Sequence, residues 1–305
     1  MRVAIIDIGS NSTRLLIADV EDDRVENELD RRSEVTRLGA GVDVNGRLRE
    51  DAMERVYAVL NEYEEATEDN DVEKKIAVLT SAVRDAKNGE EFAHTVQEHY
   101  GFEPHVLSGD DEAGLTFLGA TSGRDPEDHA RTLVVDIGGG STELVVGSGR
   151  EASFHVSTQA GVVRQTERYI DTDPPSADEL DKLATDVREI ISGAVNAEAR
   201  RAVQHGIGVA GTATSLAAIA QRLDPYDPEK VHGYLLSRAE AERILGELAA
   251  IPLAQRRRVP GLHPDRAPTI IAGVIILREV MELFGLSEIE ISEHDILRGA
   301  ALALA

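Results

Sequence analysis

Residues 3–20 read VAIIDIGSNSTRLLIADV and residues 132–147 read TLVVDIGGGSTELVVG. With Asp7 laid on Asp136, the two stretches coincide at Asp7, Ile8, Gly9, Ser12, Thr13 and Leu15. Each copy is an apolar, β-rich run, a turn of small residues and a second apolar run, which is the pattern of a β-hairpin. Two such hairpins, one opening each half of the chain, predict a duplicated α/β architecture.

The rest of each half fits that plan. In the first, a strand is expected at 33–38, a helix at 48–65 from the spacing of Met53, Val56, Tyr57, Leu60 and Tyr63, a buried strand at 75–79, a helix at 90–100 and a strand at 104–107. The turn-rich stretch at 123–128 marks a boundary, dividing the chain into domains 1–125 and 126–305. In the second half, strands are expected near Phe154, at 206–209 and at 288–291, with helices at 176–193, 197–204, 212–222, 237–250 and 268–284 and one more closing the chain.

A chain of 305 residues is long enough for two domains that each bury a core. No run of about 18 apolar residues is present to span a bilayer. Arg2 and Asp7 interrupt the apolar stretch that a signal peptide needs, so a cytoplasmic protein is expected. The absence of cysteine excludes disulfides, thiolate nucleophiles and cysteine-ligated metal centres. The net charge is -24, from 56 acids against 32 Lys and Arg. Such a surface repels nucleic acid and anionic membranes. Because the acids are spread along the chain, adaptation to a salty cytoplasm is the preferred explanation, with an anionic ligand still admitted at a local arginine-lined site.

In the repeated turns, Ser10, Asn11, Ser12 and Thr13 in one copy and Gly138, Gly139, Gly140, Ser141 and Thr142 in the other leave little bulk between an anion and main-chain N–H or hydroxyl groups. One such turn reads equally as a tight hairpin; two, each preceded by an Asp at a strand end, read as phosphate cradles. Asp7 and Asp136 hold the places of magnesium ligands, since that ion takes one or two carboxylates and keeps several waters. Glu143 joins them as a third candidate, standing where the first copy has Arg14.

The segments DIGSNSTRLL, SAVRDAKNG, SGDDEAGL, VVDIGGGSTELV, GVAGTATSLA, VHG and SEHDILRGAAL, in this order, resemble the exopolyphosphatase and guanosine pentaphosphate phosphohydrolase family over nearly the whole chain. The resemblance implies the fold of sugar kinases, actin and the heat-shock chaperone ATPases, two ribonuclease H-like domains with a cleft. It also implies release of terminal orthophosphate from inorganic polyphosphate with Mg2+ or Mn2+, and a homodimer. The length fits the short two-domain form without the helical C-terminal extension of longer members. A guanosine pentaphosphate 5'-phosphohydrolase is the alternative substrate reading. A non-catalytic nucleotide-binding regulator, or a kinase on the same fold, is the alternative of another class.

Resemblance also implies roles for particular residues. Glu112 occupies the place of the family's catalytic glutamate, the base for the attacking water. Read alone, Asp110, Asp111 and Glu112 are equally first-turn acids complementing a helix dipole, with Ser108 and Asp111 spaced as a capping pair. Arg84 offers a fork of donors after a strand, suited to a phosphate oxygen. Arg14 adjoins the first turn, although strand alternation can direct it away. Gly211 and Thr212 lie at a strand–turn–helix junction where an anion or nucleotide can rest, or which simply closes the cleft. His232 and Gly233 match a family His-Gly pair, and Asp295 stands where the family usually has Gly. The triplet Arg256, Arg257 and Arg258 is read first as a solvated charge run and second as an exit path for a polyanion.

Overall fold

The computed structural model describes residues 1–22, 24–125 and 127–305; Pro126, where the sequence begins its second domain, lies outside the described residues. Contacts divide the chain into one unit of Met1–Gly123 with His294–Ala305 and another of Arg124–Glu293.

The first unit is built on strands β1 (Arg2–Ile8), β2 (Thr13–Glu21), β3 (Arg24–Glu34), β4 (Lys74–Leu79) and β5 (Glu103–Val106), ordered β3-β2-β1-β4-β5. β1 runs parallel to β4 and β4 to β5, whereas β2 is antiparallel to both β1 and β3. The apolar runs of β1 and β4 mark strands covered on both faces. Ala4, Ile6 and Ile8 point to one face, where they meet Ala52, Val56, Leu60 and Tyr63 of a helix and Phe92 and Val96 of another. Those helices are α2 (Glu50–Asp69) and α4 (Gly89–Tyr100), preceded by the single turns α1 (Val42–Asn45) and α3 (Ser81–Arg84) respectively. Val3 and Ile5, one residue out of phase, point to the opposite face and pack on Leu115 of α5 (Gly109–Thr121) and on Ile296, Leu297, Ala300 and Ala301 of the closing helix Ile296–Leu304.

The sequence groups the closing helix with the second half, whereas by contacts it belongs with the first unit. Its apolar stripe covers the bare face of the first sheet. Two glycines let it lie close against α5: a Cβ on Gly119 would sit 1.9 Å from the Asp295 carbonyl oxygen, and one on Gly299 would sit 1.8 Å from that of Leu115. The strand expected at 33–38 instead lies earlier, as β3. This is a charged edge strand (RVENELDRRSE) held by main-chain pairing, so it carries no apolar signal.

The second unit repeats the arrangement with β6 (Thr132–Ile137), β7 (Thr142–Ser148), β8 (Glu151–Thr158), β9 (His205–Val209), β10 (Tyr234–Ser237) and β11 (Glu288–Ile291), ordered β10-β11-β9-β6-β7-β8. β6, β9 and β11 are parallel, β7 is antiparallel to β6 and β8, and β10 adds an antiparallel edge. Helices α6 (Val162–Tyr169), α7 (Ala177–Ala194), α8 (Ala197–Ala202) and α9 (Ala210–Gln221) follow, and the apolar helix Ile270–Leu283 runs through the unit's core. The short elements β10 and α6 are not anticipated by the sequence pattern. Among the described residues, no helix is long and apolar enough to cross a membrane.

Candidate active site

The two glycine turns are the same structure made twice. In the first, the Gly9 N–H donates to the Ser12 carbonyl at 3.0 Å; in the second, the Gly138 N–H donates to the Ser141 carbonyl at 2.9 Å. What lies behind each turn fixes which way its amides face. In the first unit, the Ser10 carbonyl accepts from Gly39 N at 2.8 Å, and the Asn11 carbonyl accepts from Thr36 N at 3.1 Å and Arg37 N at 2.9 Å. In the second, the carbonyls of Gly138 and Gly139 each accept from the start of α6, from Val162 N and Val163 N at 2.9 Å, while Arg164 Nε donates to the Gly140 carbonyl at 3.0 Å. In a planar trans peptide the N–H points opposite to the C=O. Anchored carbonyls therefore turn the amides of Asn11 and Ser12, and those of Gly139, Gly140 and Ser141, away from the supporting segment, as an anion cradle requires.

Two hydroxyls expected to bind phosphate point inward instead. Thr13 and Thr142 are wholly buried; Thr13 shares a hydrogen bond with Thr36 at 2.9 Å, and Thr142 donates to the Ala160 carbonyl. Each is the first residue of a strand, where alternation sends its side chain into the core. Ser10 is exposed and pairs with Ser81 at 3.0 Å, and Ser141 donates to Glu143 at 2.6 Å.

Cross-strand register sets Asp7 opposite Arg14 and Asp136 opposite Glu143. Asp7 is only 4% exposed, and both Arg14 Nε (2.9 Å) and Nη2 (2.5 Å) donate to its Oδ2. Burial pushes its carboxyl above the usual carboxylate range, against the pull of Arg14. Its other oxygen, Oδ1, is buried with no hydrogen-bond partner among the described residues. Arg14 also donates through Nη1 to Asp295, so its fork is occupied by carboxylates. Asp295 is held below the usual range: burial acts to raise it but is outweighed by Arg14 and Arg31. In the second unit, two carboxylates face each other across the strand pair, a placement that repels unless a cation or donors offset it. Glu143 accepts from Ser141 and from Ser157, the latter at 2.8 Å. Among the described residues no three potential ligands gather into a protein-only metal cage. The orphaned Asp7 oxygen in one unit and, separately, the facing carboxylate pair in the other each have the donor chemistry of a hard cation that keeps waters and takes few carboxylates, as magnesium does.

Glu112 sits in the first turn of α5, with its side chain 25% exposed and Oε2 3.5 Å from Arg84 Nη1. The capping role falls to Asp111: the Ser108 hydroxyl accepts from Asp111 N at 3.2 Å, and the Asp111 carboxylate accepts from Ser108 N at 3.3 Å. Arg84 lies at the end of α3, just past β4, and also donates to the Leu107 carbonyl at 2.9 Å. In the second unit, Gly211 lies under Arg266, whose Nη1 would be 1.8 Å from an added Cβ, and the buried Thr212 hydroxyl is 3.4 Å from the Ile137 carbonyl. Arg256 is buried and donates to the carbonyls of Leu248, Ile251 and Ala267, so it lines no exit path; Arg257 and Arg258 are exposed.

Residues 16–302 match the model of the Ppx/GppA phosphatase family. The chain belongs to that family. As a member of the Ppx/GppA phosphatases it is a hydrolase, and its duplicated ribonuclease H-like units form their two-domain actin-like fold. It is 37% identical to Exopolyphosphatase 2 of Mycobacterium tuberculosis over 316 residues, covering 100% of this chain and 98% of that protein. The crystal structure of the Aquifex aeolicus Ppx/GppA phosphatase matches with a TM-score of 0.84 at 33% identity, covering 99% of both chains. An exopolyphosphatase from Cytophaga hutchinsonii matches with a TM-score of 0.87 at 27% identity, covering 100% of this chain and 97% of its own.

Three residues that support the Ppx/GppA turns carry no supporting role in the sequence pattern. Ser81 meets Ser10, Arg164 braces Gly140, and Asp295 holds Arg14. Ser81 and Arg164 lie in motif-neighbouring but unremarkable stretches; Asp295 was visible as the departure from the family's glycine.

Proposed function

We propose that this chain is an exopolyphosphatase that releases terminal orthophosphate from inorganic polyphosphate, with Glu112 as the base for the attacking water. The outward amides of Asn11 and Ser12, and of Gly139, Gly140 and Ser141, bind phosphate oxygens. Glu112 accepts a proton from water as the water oxygen bonds to the terminal phosphorus; the bond to the bridging oxygen breaks, and the shortened chain leaves with the electron pair. Arg84 orients Glu112 and supplies positive charge beside it. Asp7 Oδ1 in the first unit and Asp136 with Glu143 in the second are the residues to hold magnesium or manganese, which when bound neutralises phosphate oxygens.

The observation that carries this reading is the position of Glu112: next to the capping Asp111 in the same helical turn, it is part-exposed and its carboxylate lies 3.5 Å from the Arg84 guanidinium. Full-length likeness to a named exopolyphosphatase supports the choice of substrate. A cytoplasmic homodimer working in high salt is part of the same proposal, the last resting on the net charge of -24.

Long-chain polyphosphate, guanosine pentaphosphate and ATP, offered in parallel with magnesium and with or without molar salt, test it. Phosphate release fastest from polyphosphate and dependent on salt is expected. Preference for guanosine pentaphosphate would move the assignment to that nucleotide, and no release from any would leave a non-catalytic nucleotide-binding regulator or a kinase on the same fold.

A further inference from the structure

We propose that Asp295 is a positioning residue for Asp7, acting through Arg14; this rests on the reading of Asp7 as a cation ligand. Three buried or nearly buried charged groups form a line in the first unit. Asp295 is 3% exposed and Asp7 4%, and Arg14 lies between them. Arg14 gives Nε and Nη2 to Asp7 Oδ2 and Nη1 to Asp295 Oδ2. A guanidinium is planar, so anchoring Nη1 fixes the plane in which the other two donors lie. That in turn places the two donors on Asp7 Oδ2 and leaves Oδ1 as the buried oxygen without a hydrogen bond among the described residues.

Asp295 is itself held from two sides. Its Oδ1 accepts from Leu297 N at 3.1 Å, capping the closing helix, and its carbonyl lies against Gly119 of α5, the helix whose first turn carries Glu112. The Asp7 carboxylate is thereby referenced to the helix that bears the proposed base. Two carboxylates share Arg14 here, with Arg31 Nη1 farther from Asp295 at 3.9 Å. Were Asp295 only a helix cap, the capping oxygen alone would suffice and no second carboxylate on Arg14 would be needed.

Asp295→Asn keeps the shape and the capping oxygen and removes the charge. Mn2+ binding, followed by electron paramagnetic resonance and assigned to Asp7 by its loss in Asp7→Asn, is expected to weaken about tenfold or more. The Mg2+ concentration for half-maximal phosphate release should rise alongside, kcat should fall, and KM for polyphosphate and the melting temperature should change little. Lys74→Met removes the 2.6 Å hydrogen bond from Lys74 Nζ to the Leu304 carbonyl on the same closing helix. It should lower the melting temperature and leave Mn2+ affinity unchanged. An Asp295→Asn protein with wild-type Mn2+ affinity and kcat overturns the proposal, as does one in which activity falls only with the folded fraction. If Asp295→Asn does not fold, Arg14→Lys, which keeps the charge without the fork, must weaken Mn2+ binding or the proposal fails. A wild-type protein that binds Mn2+ through Asp7 yet releases no phosphate from any substrate would refute the exopolyphosphatase reading while leaving Asp295 to be judged by Mn2+ affinity.

Discussion

Gly161→Ala is expected to damage the second glycine turn, the proposed phosphate cradle, from behind. Gly161 is the residue before α6, and a Cβ there would lie 2.2 Å from the Gly140 carbonyl carbon and 2.4 Å from both Gly139 O and Ser141 N. These are main-chain atoms of the turn itself, so none can step aside alone. Ordinary contact begins near 3.4 Å, so the turn and α6 must part by roughly 1.2 Å, stretching the 2.9 Å bonds from Val162 and Val163 that face the amides outward. Overpacking of this kind costs about 1–3 kcal/mol, and a displacement near 1 Å lowers turnover by about 10²-fold. The assay is phosphate release from polyphosphate beside a thermal melt. Gly193→Ala, in α7 where an added Cβ meets open space, is the control and should be neutral or slightly stabilising. A Gly161→Ala protein with wild-type kcat/KM and melting temperature would refute the idea that α6 braces the turn.

Thr142→Val leaves the buried Ala160 carbonyl without its donor; stability should fall by about 1–3 kcal/mol with KM for polyphosphate unchanged, whereas a phosphate-binding hydroxyl would raise KM. Glu179 is held at about 2, below its ordinary 4.5, by the Thr172 hydroxyl and the main-chain N–H groups of Ser176 and Asp171. Since the folded value is the lower one, its stabilisation is complete above pH 4.5 and fades as pH falls towards 2, so the gap in melting temperature between wild type and Glu179→Gln should close across that window. Gly299→Ala, which sets a Cβ 1.8 Å from the Leu115 carbonyl oxygen, should loosen the closing helix and lower the melting temperature by more than Gly193→Ala changes it.

The repeated hairpin could be read from sequence because its signals are local: apolar runs flank a turn of small residues, and the pattern occurs twice. The Ser108–Asp111 cap was legible for the same reason, since both partners lie within one turn. Side-chain direction at the turn edges was not. Thr13 finds its partner 23 residues away and Thr142 finds its partner 18 away, on segments that no motif connects to them. Arg14 meets Asp295 across 281 residues, so only the folded chain shows that its fork is taken. Arg256 looked like one of three solvated arginines, yet main-chain carbonyls brought together by tertiary packing enclose it while its two neighbours stay in water. The edge strand β3 escaped because main-chain pairing, not an apolar face, makes it a strand.

The most direct measurement compares wild type and Glu112→Gln for both polyphosphate hydrolysis and polyphosphate binding under the same magnesium and salt. Loss of a general base predicts a fall in turnover of about 10²–10⁴-fold with binding nearly intact, because the turn amides proposed to hold phosphate are untouched. Turnover retained in Glu112→Gln would contradict the account, and turnover lost only together with binding would place Glu112 in substrate binding instead of proton transfer.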